Sequence, residues 1–140
     1  MTILYKGAVQ DRKTAWVECD FGDLPSGTFV GLVYLPAGAI VVGGAAYSLT
    51  ASDAATSETV GVGVSGNHTL YGSIADSKTA GRTALTLPGT ATHVPEAGQV
   101  LVGLTRTAVG AVTVGHYGLE LAYIIAGNSD ETMGNFVDHT

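Results

Sequence analysis

The feature that most constrains this chain is a series of short apolar runs with a period of two, cut repeatedly by glycine and proline. No window holds a helical period of 3.6 without being crossed by glycine or β-branched residues. Strand-type runs recur instead at Trp16–Phe21, Thr28–Leu35, Ala39–Leu49, Thr59–Ser65, Thr83–Leu87, Val100–Thr107 and Leu119–Ile125, with a short extra strand at Thr69–Ser73. The breaks carry turn chemistry. Gly22-Asp23-Leu24-Pro25-Ser26-Gly27 and Leu35-Pro36-Ala37-Gly38 join proline, which presets φ, to glycine, which accepts a positive φ. Many short strands at this spacing predict an all-β chain: an antiparallel β-sandwich, jelly-roll-like, with extended termini. At 140 residues it is one domain. Its expected organisation is an N-terminal arm or first strand over 1–14, a sandwich over 15–127 and a polar C-terminal tail over 128–140.

The alternation assigns faces. In the last strand Leu119, Leu121, Tyr123 and Ile125 share one side, and Glu120, Ala122 and Ile124 the other. In Thr28–Leu35 both sides are apolar, with Val30, Leu32 and Tyr34 opposite Phe29, Val33 and Leu35. A strand apolar on both faces is ordinarily buried on both, and a second subunit is the simplest cover. Gly61, Gly63 and Gly103 lie where strand side chains would pack, as they do at a bulge or a close backbone approach. These features predict an oligomer, with Trp16, Phe29, Val33 and Leu35 at its interface. Trp16 alternates with Glu18, which fits partial exposure or an interface as well as a core position.

Composition removes several function classes. The balance of 6 basic and 12 acidic residues gives a net charge of −6, and no basic stripe is present, so a nucleic-acid partner is not expected. The longest apolar stretch, Leu35–Tyr47, is too short for a membrane helix and is broken by Pro36, Gly38, Gly43 and Gly44, so no membrane is expected. Met1–Lys6 lacks a charged segment followed by an apolar one, which predicts no signal peptide and assembly in a reducing cytoplasm. The lone Cys19 lies between Val17 and Phe21 in the alternation and reads as a small buried hydrophobe. His68, His93, His116 and His139 lack metal-ligand spacing. Asp20-Phe21-Gly22-Asp23 is a weak calcium pattern. No P-loop, dinucleotide fingerprint or nucleophile elbow occurs. The carboxylates Asp20, Asp23, Asp53, Glu58, Asp76, Glu96 and Glu120 read as solvated loop charges rather than a catalytic pair. Neither enzyme activity, a cofactor nor a metal is therefore expected.

Three stretches combine small or glycine-rich connections with apolar strands. Leu35–Gly44 is an extended strand entered from a Pro-x-Gly turn. Ala51–Gly63 is a small-residue loop followed by a valine-glycine strand. Thr113–Ile125 is a glycine-rich hairpin followed by a closing apolar strand. With Val100–Thr107 this pattern resembles the small jelly-roll-like decoration, or cement, proteins of tailed-bacteriophage heads. The resemblance implies a structural virion protein that assembles in the host cytoplasm and sits on the capsid exterior. It further implies a homotrimer bound to the phage major capsid protein, stabilising the shell without catalysis. Both termini then read as arms that order on a partner. The apolar and basic residues Ile3, Leu4, Tyr5, Lys6, Arg12 and Lys13 are the expected capsid-binding set. The alternatives are a carbohydrate- or receptor-binding module of a phage head spike or tail fibre, recognising a surface glycan, and a ring-forming tail or head-completion protein.

Overall fold

The computed structural model describes residues 12–88 and 100–125. Eight strands run β1 Lys13–Asp20, β2 Phe29–Leu35, β3 Ala39–Thr50, β4 Ser57–Gly63, β5 Ser73–Ile74, β6 Gly81–Ala84, β7 Val100–Val109 and β8 His116–Ile125, with one 3₁₀ turn at Phe21–Asp23. They form two antiparallel four-stranded sheets, ordered β1-β8-β3-β6 and β2-β7-β4-β5. The pairs β1·β8, β2·β7, β3·β6 and β4·β5 are those of one long antiparallel hairpin folded on itself. Rolling that hairpin adds the contacts β3·β8 and β4·β7 and produces a jelly roll. The all-β sandwich expected from the alternation is therefore the fold. Among the described residues no helix is long and apolar enough to cross a membrane.

Local chemistry accounts for the turns. Gly27 (φ 79°) and Gly38 (φ 81°) hold the left-handed backbone that the two proline-glycine clusters require. The strand expected at Thr69–Ser73 is mostly turn: ladder pairing with β4 is confined to Ser73–Ile74, and Tyr71 and Gly72 add backbone bonds of 2.9 Å to Val62. The strand expected at Thr83–Leu87 ends at Ala84. The Leu85 N–H still donates to the Gly44 carbonyl of β3 at 3.1 Å, and the Thr86 N–H donates to the Tyr71 carbonyl at 2.9 Å.

The core lies between the sheets, and the parity of each strand fills it. β8 contributes Tyr117, Leu119 and Leu121; β7 contributes Val102 and Leu104; β4 contributes Val60 and Val62; Leu24, Leu35 and Tyr71 close it. Each fully buried apolar side chain contributes about 1.5–3 kcal/mol of transfer free energy. Cys19 belongs to this core, and burial, then Asp23 and Asp20, push its thiol up to about 11.

Two features that strand patterning assigned to a second subunit have a local cause here. The doubly apolar β2 carries a bulge, which turns Val33 and Leu35 into this chain's own core and leaves Tyr34 66% exposed. Gly31 faces Gly103 but Val33 faces Val102, so Leu32 is the extra residue. The inward set therefore passes from Val30 before the bulge and Leu32 at it to Val33 and Leu35 after it. Val33 and Leu35 are buried in the chain's own core, and neither is left for an oligomer interface. The strand glycines likewise accommodate this chain rather than another. A Cβ at Gly63 would overlap the Asn67 carbonyl, one at Gly61 would lie 2.7 Å from the His68 carbonyl, and one at Gly103 would overlap Val30 at the bulge.

One carboxylate also departs from expectation. Glu58 is 1% exposed and sits in the core-facing alternation Glu58, Val60, Val62. Its Oε1 accepts from Ser77 Oγ at 2.6 Å and from the Tyr117 hydroxyl. Its Oε2 accepts from Ser52 Oγ at 2.9 Å and from Arg106 Nη1 at 3.0 Å. Arg106, itself inward on β7, donates through Nε to the Leu24 carbonyl at 2.7 Å. Burial pushes the Glu58 pKa up, but the four donors outweigh it and hold the carboxyl below its usual range. This network joins Tyr117 of one sheet to β4 and β7 of the other. The Glu58 carboxylate is enclosed and accepts from four donors, so the network ties the two sheets together.

Candidate functional site

The outer face of the β1-β8-β3-β6 sheet gathers a set of exposed aromatic and charged side chains. Even-numbered residues of β1 point outward: Thr14, Trp16, Glu18 and Asp20 are all exposed. Register sets their neighbours. Glu18, Gly118 and Tyr47 lie in one row across β1, β8 and β3, and Arg82 of β6 completes it. Trp16, Glu120, Ala45 and Ala84 form the next row.

Gly118 is the local reason for the arrangement. A Cβ there would come 2.6 Å from Trp16 Cη2 and 2.9 Å from Cζ2, so the indole occupies the space that a side chain would take. Trp16 thereby reaches Tyr47, with ring centroids 5.2 Å apart in an edge-to-face arrangement at 68°. It remains 46% exposed. Its Nε1 donates to Glu18 Oε2 at 3.0 Å, which fixes the indole's rotation. Glu18 Oε1 meets His116 Nε2 at 2.9 Å. The bond from Trp16, then that with His116, hold the Glu18 carboxyl below its usual range. The Tyr47 hydroxyl accepts from Arg82 Nε at 3.3 Å and makes a long contact of 3.4 Å to Glu120 Oε1. The Arg82 guanidinium stands 6.0 Å from the Tyr47 ring centroid. Leu49, also exposed, borders the patch next to Gly118.

This patch pairs a rigid aromatic centre with a charged rim of both signs. Trp, Tyr and Arg are the residues enriched at the energetic centres of protein interfaces. Their fixed rotamers also lower the entropy lost on docking. No nucleophile stands beside a base in the patch, and among the described residues no group of three or more metal-ligating side chains converges. Asp20 and Asp23, the weak calcium pattern, instead close the 3₁₀ turn, with the Asp20 N–H donating to Asp23 Oδ2 at 3.0 Å.

The expected site residues divide among several places. Ile3, Leu4, Tyr5 and Lys6 lie outside the described residues. Lys13 is half-buried and opens β1 opposite Tyr123. Arg12 is exposed and reaches over β8 toward Gly43 of β3, which sets it on the same outer face as Trp16. Phe29 is on the outer face of the other sheet, stacked on His68 with centroids 5.6 Å apart. Trp16, Phe29, Val33 and Leu35 therefore do not form one patch. Tyr47, Arg82 and Glu120 were not among the expected site residues. The outward parity of Trp16 and Glu18 was visible in the sequence, but their partners depend on cross-strand register.

Solved structures share this architecture. A chain of the structure titled "Cyanophage Pam1 capsid asymmetric unit" is 25% identical, aligning over 85% of this chain and 88% of its own with a TM-score of 0.67. A chain of "Capsid of Ralstonia phage GP4" is 17% identical over 88% of this chain and 89% of its own, with a TM-score of 0.62. A chain of "Acidic stable capsid structure of Helicobacter pylori bacteriophage KHP30" is 16% identical over 83% of this chain and 93% of its own, with a TM-score of 0.56. No protein-family model matches the sequence, and no curated protein matches it.

Proposed function

We propose that this chain is a structural virion protein of a tailed phage, which binds the outside of the capsid as an oligomer and stabilises the shell. The observation that carries this reading is the shared fold, over nearly the whole of both chains, with a chain of the Pam1 capsid at 25% identity. Two further chains from structures titled as phage capsids share the same fold.

The mechanism is linkage. A protein that binds the assembled shell and not its dissociated parts adds RT ln(1 + [L]/Kd) to shell stability, about 2.7 kcal/mol at a hundredfold excess over Kd. A homotrimer engages three shell subunits at once, and its avidity exceeds the affinity of a single arm. The proposed division of labour gives the N-terminal Ile3, Leu4, Tyr5 and Lys6, with Arg12 and Lys13, to the capsid. The Trp16–Tyr47–Arg82 face then forms the contact between subunits or with the capsid.

Sedimentation of the purified protein with undecorated phage capsids tests this. Saturable co-sedimentation is expected, at a stoichiometry matching the shell's local three-fold axes. Light scattering should give three times the 14.2 kDa of one chain. Trp16→Ala should lower the bound fraction or the oligomer mass. A monomer that never co-sediments with shells would overturn the reading.

A further inference from the structure

The outer face of the β2-β7-β4-β5 sheet holds a recess of about 240 Å³, distant in the fold from the Trp16 patch. Its floor is the in-register square of Thr59 opposite Thr107 and Gly61 opposite Thr105. His68 and Thr69, from the turn after β4, form one wall, and Ser73 of β5 forms another. Gly61 lets that turn lie against the sheet, since a Cβ there would be 2.7 Å from the His68 carbonyl and 3.2 Å from Thr69 Cγ2. Phe29 stacks on the His68 ring, with 15° between the planes, and holds the imidazole in place.

Two properties distinguish this recess from an ordinary surface dent. The first is an unmet hydrogen bond. Thr105 is 7% exposed, and its Oγ1 is the buried side-chain polar atom without a partner among the described residues. A buried hydroxyl left unsatisfied is unfavourable, and native proteins rarely keep one without a use. Thr105 lines the recess, and a change of χ1 rotamer would exchange its methyl and hydroxyl positions. The second is the chemistry of the lining. Thr59, Thr69, Ser73 and Thr107 bring hydroxyl-bearing side chains to the lining beside Thr105, each hydroxyl with one donor and two acceptor sites. Among the described residues lining the recess there is no carboxylate, lysine or arginine. An ion seated there would lose its hydration without gaining a counter-charge.

We propose that this recess binds a neutral hydroxylated ring, a pyranose, either free or as the terminal residue of a glycan. The lining matches a polyol, whose hydroxyls also donate and accept. The volume exceeds by several-fold the roughly 30 Å³ of a water molecule. It falls below the roughly 300–1,000 Å³ of pockets for larger ligands, so one ring is the fitting size. At Thr69 and Ser73 it adjoins a wider recess of about 450 Å³ reaching Thr86 and Pro88, which leaves room for a linked sugar. This site is independent of the capsid-binding reading.

The test is a ¹⁵N–¹H correlation titration of the full chain with methyl glucopyranoside, methyl galactopyranoside and methyl mannopyranoside, with glucuronate as the charged control. At least one neutral glycoside should produce saturable shifts centred on Gly61, His68, Thr69, Ser73 and Thr105, and glucuronate should not. Thr105→Val keeps the shape and removes the unpaired hydroxyl. It should leave the unfolding midpoint unchanged or raised and weaken the sugar by about tenfold. Should Thr105→Val fail to fold, Ser73→Ala on the exposed wall serves the same purpose. A trisaccharide binding more tightly than its methyl glycoside would support a glycan chain as the ligand, and equal affinity would support the single ring. Three results would overturn the proposal: no saturable shift into the tens of millimolar, affinity unchanged by both substitutions, or loss of capsid co-sedimentation on Thr105→Val with no sugar response, which would give the recess to a protein partner.

Discussion

Removing the Glu58 carboxylate tests the physical basis of this fold most directly. In Glu58→Ala, Arg106 keeps its charge in a nearly enclosed site and retains the Leu24 carbonyl as its acceptor. The Ser77, Ser52 and Tyr117 hydroxyls lose the acceptor they share. Removing one partner of a buried ion pair costs about 3–5 kcal/mol, because the other charge is left desolvated. Ser77 Oγ still has the Glu58 carbonyl at 3.1 Å, which limits the added loss. We therefore expect about 4 kcal/mol, a large share of the roughly 5–15 kcal/mol that holds a domain together. With a urea slope of about 1.5 kcal/mol/M, the denaturation midpoint should fall by about 2.5 M. Arg106→Met should cost a similar amount. The double variant Glu58→Ala/Arg106→Met removes both charges together and should recover at least half of the summed single losses. Equilibrium urea unfolding, followed by circular dichroism, measures all three. A single-variant loss below about 1 kcal/mol would refute the account, as would a double variant additive to within about 0.5 kcal/mol.

Three further outcomes are expected. Stability should fall on acidification, because Asp53 is held at about 2, chiefly by the Thr113 hydroxyl and then the Thr113 and Val114 N–H groups, and Glu58 is also depressed. A carboxyl with a lowered folded pKa stabilises above its unfolded value and loses that contribution as pH falls, for Asp53 between about 3.8 and about 2. Asp53→Asn should flatten the thermal midpoint against pH in that window, and an unchanged profile would contradict the assignment. Gly103→Ala should destabilise by more than about 2 kcal/mol, because its Cβ would overlap the bulge backbone at Val30, whereas Gly81→Ala, with open space around it, should stay within about 0.5 kcal/mol; comparing their urea midpoints checks the close approach. Cys19, buried and raised to about 11, should resist iodoacetamide at pH 8 in the native protein and react on unfolding, as read by mass spectrometry.

The amino-acid sequence by itself determined the strands, their turns and most of their facing. Period-two alternation and proline-glycine chemistry act between near neighbours, so Leu119 and Leu121 could be assigned inward and Gly38 to a turn before any pairing was known. The same alternation marks Glu58 with Val60 and Val62, and Arg106 with Val102 and Leu104. Two opposite charges at core-facing positions were thus legible as a buried pair, a signal that polarity alone obscured. Tertiary structure decided what alternation cannot carry. One extra residue at Leu32 reverses the phase of β2 and turns Val33 and Leu35 into the core. Gly118 became the space for Trp16, and Tyr47 met Arg82, only once register had been set between strands remote in sequence. The hydroxyl-lined recess needed the turn after β4 to fold back over Gly61. A strand's parity is written residue by residue along one chain. Its register and the side chains opposite it result from packing a whole sandwich, because the sharing of one hydrogen-bonding edge and one core volume selects a single pairing among many.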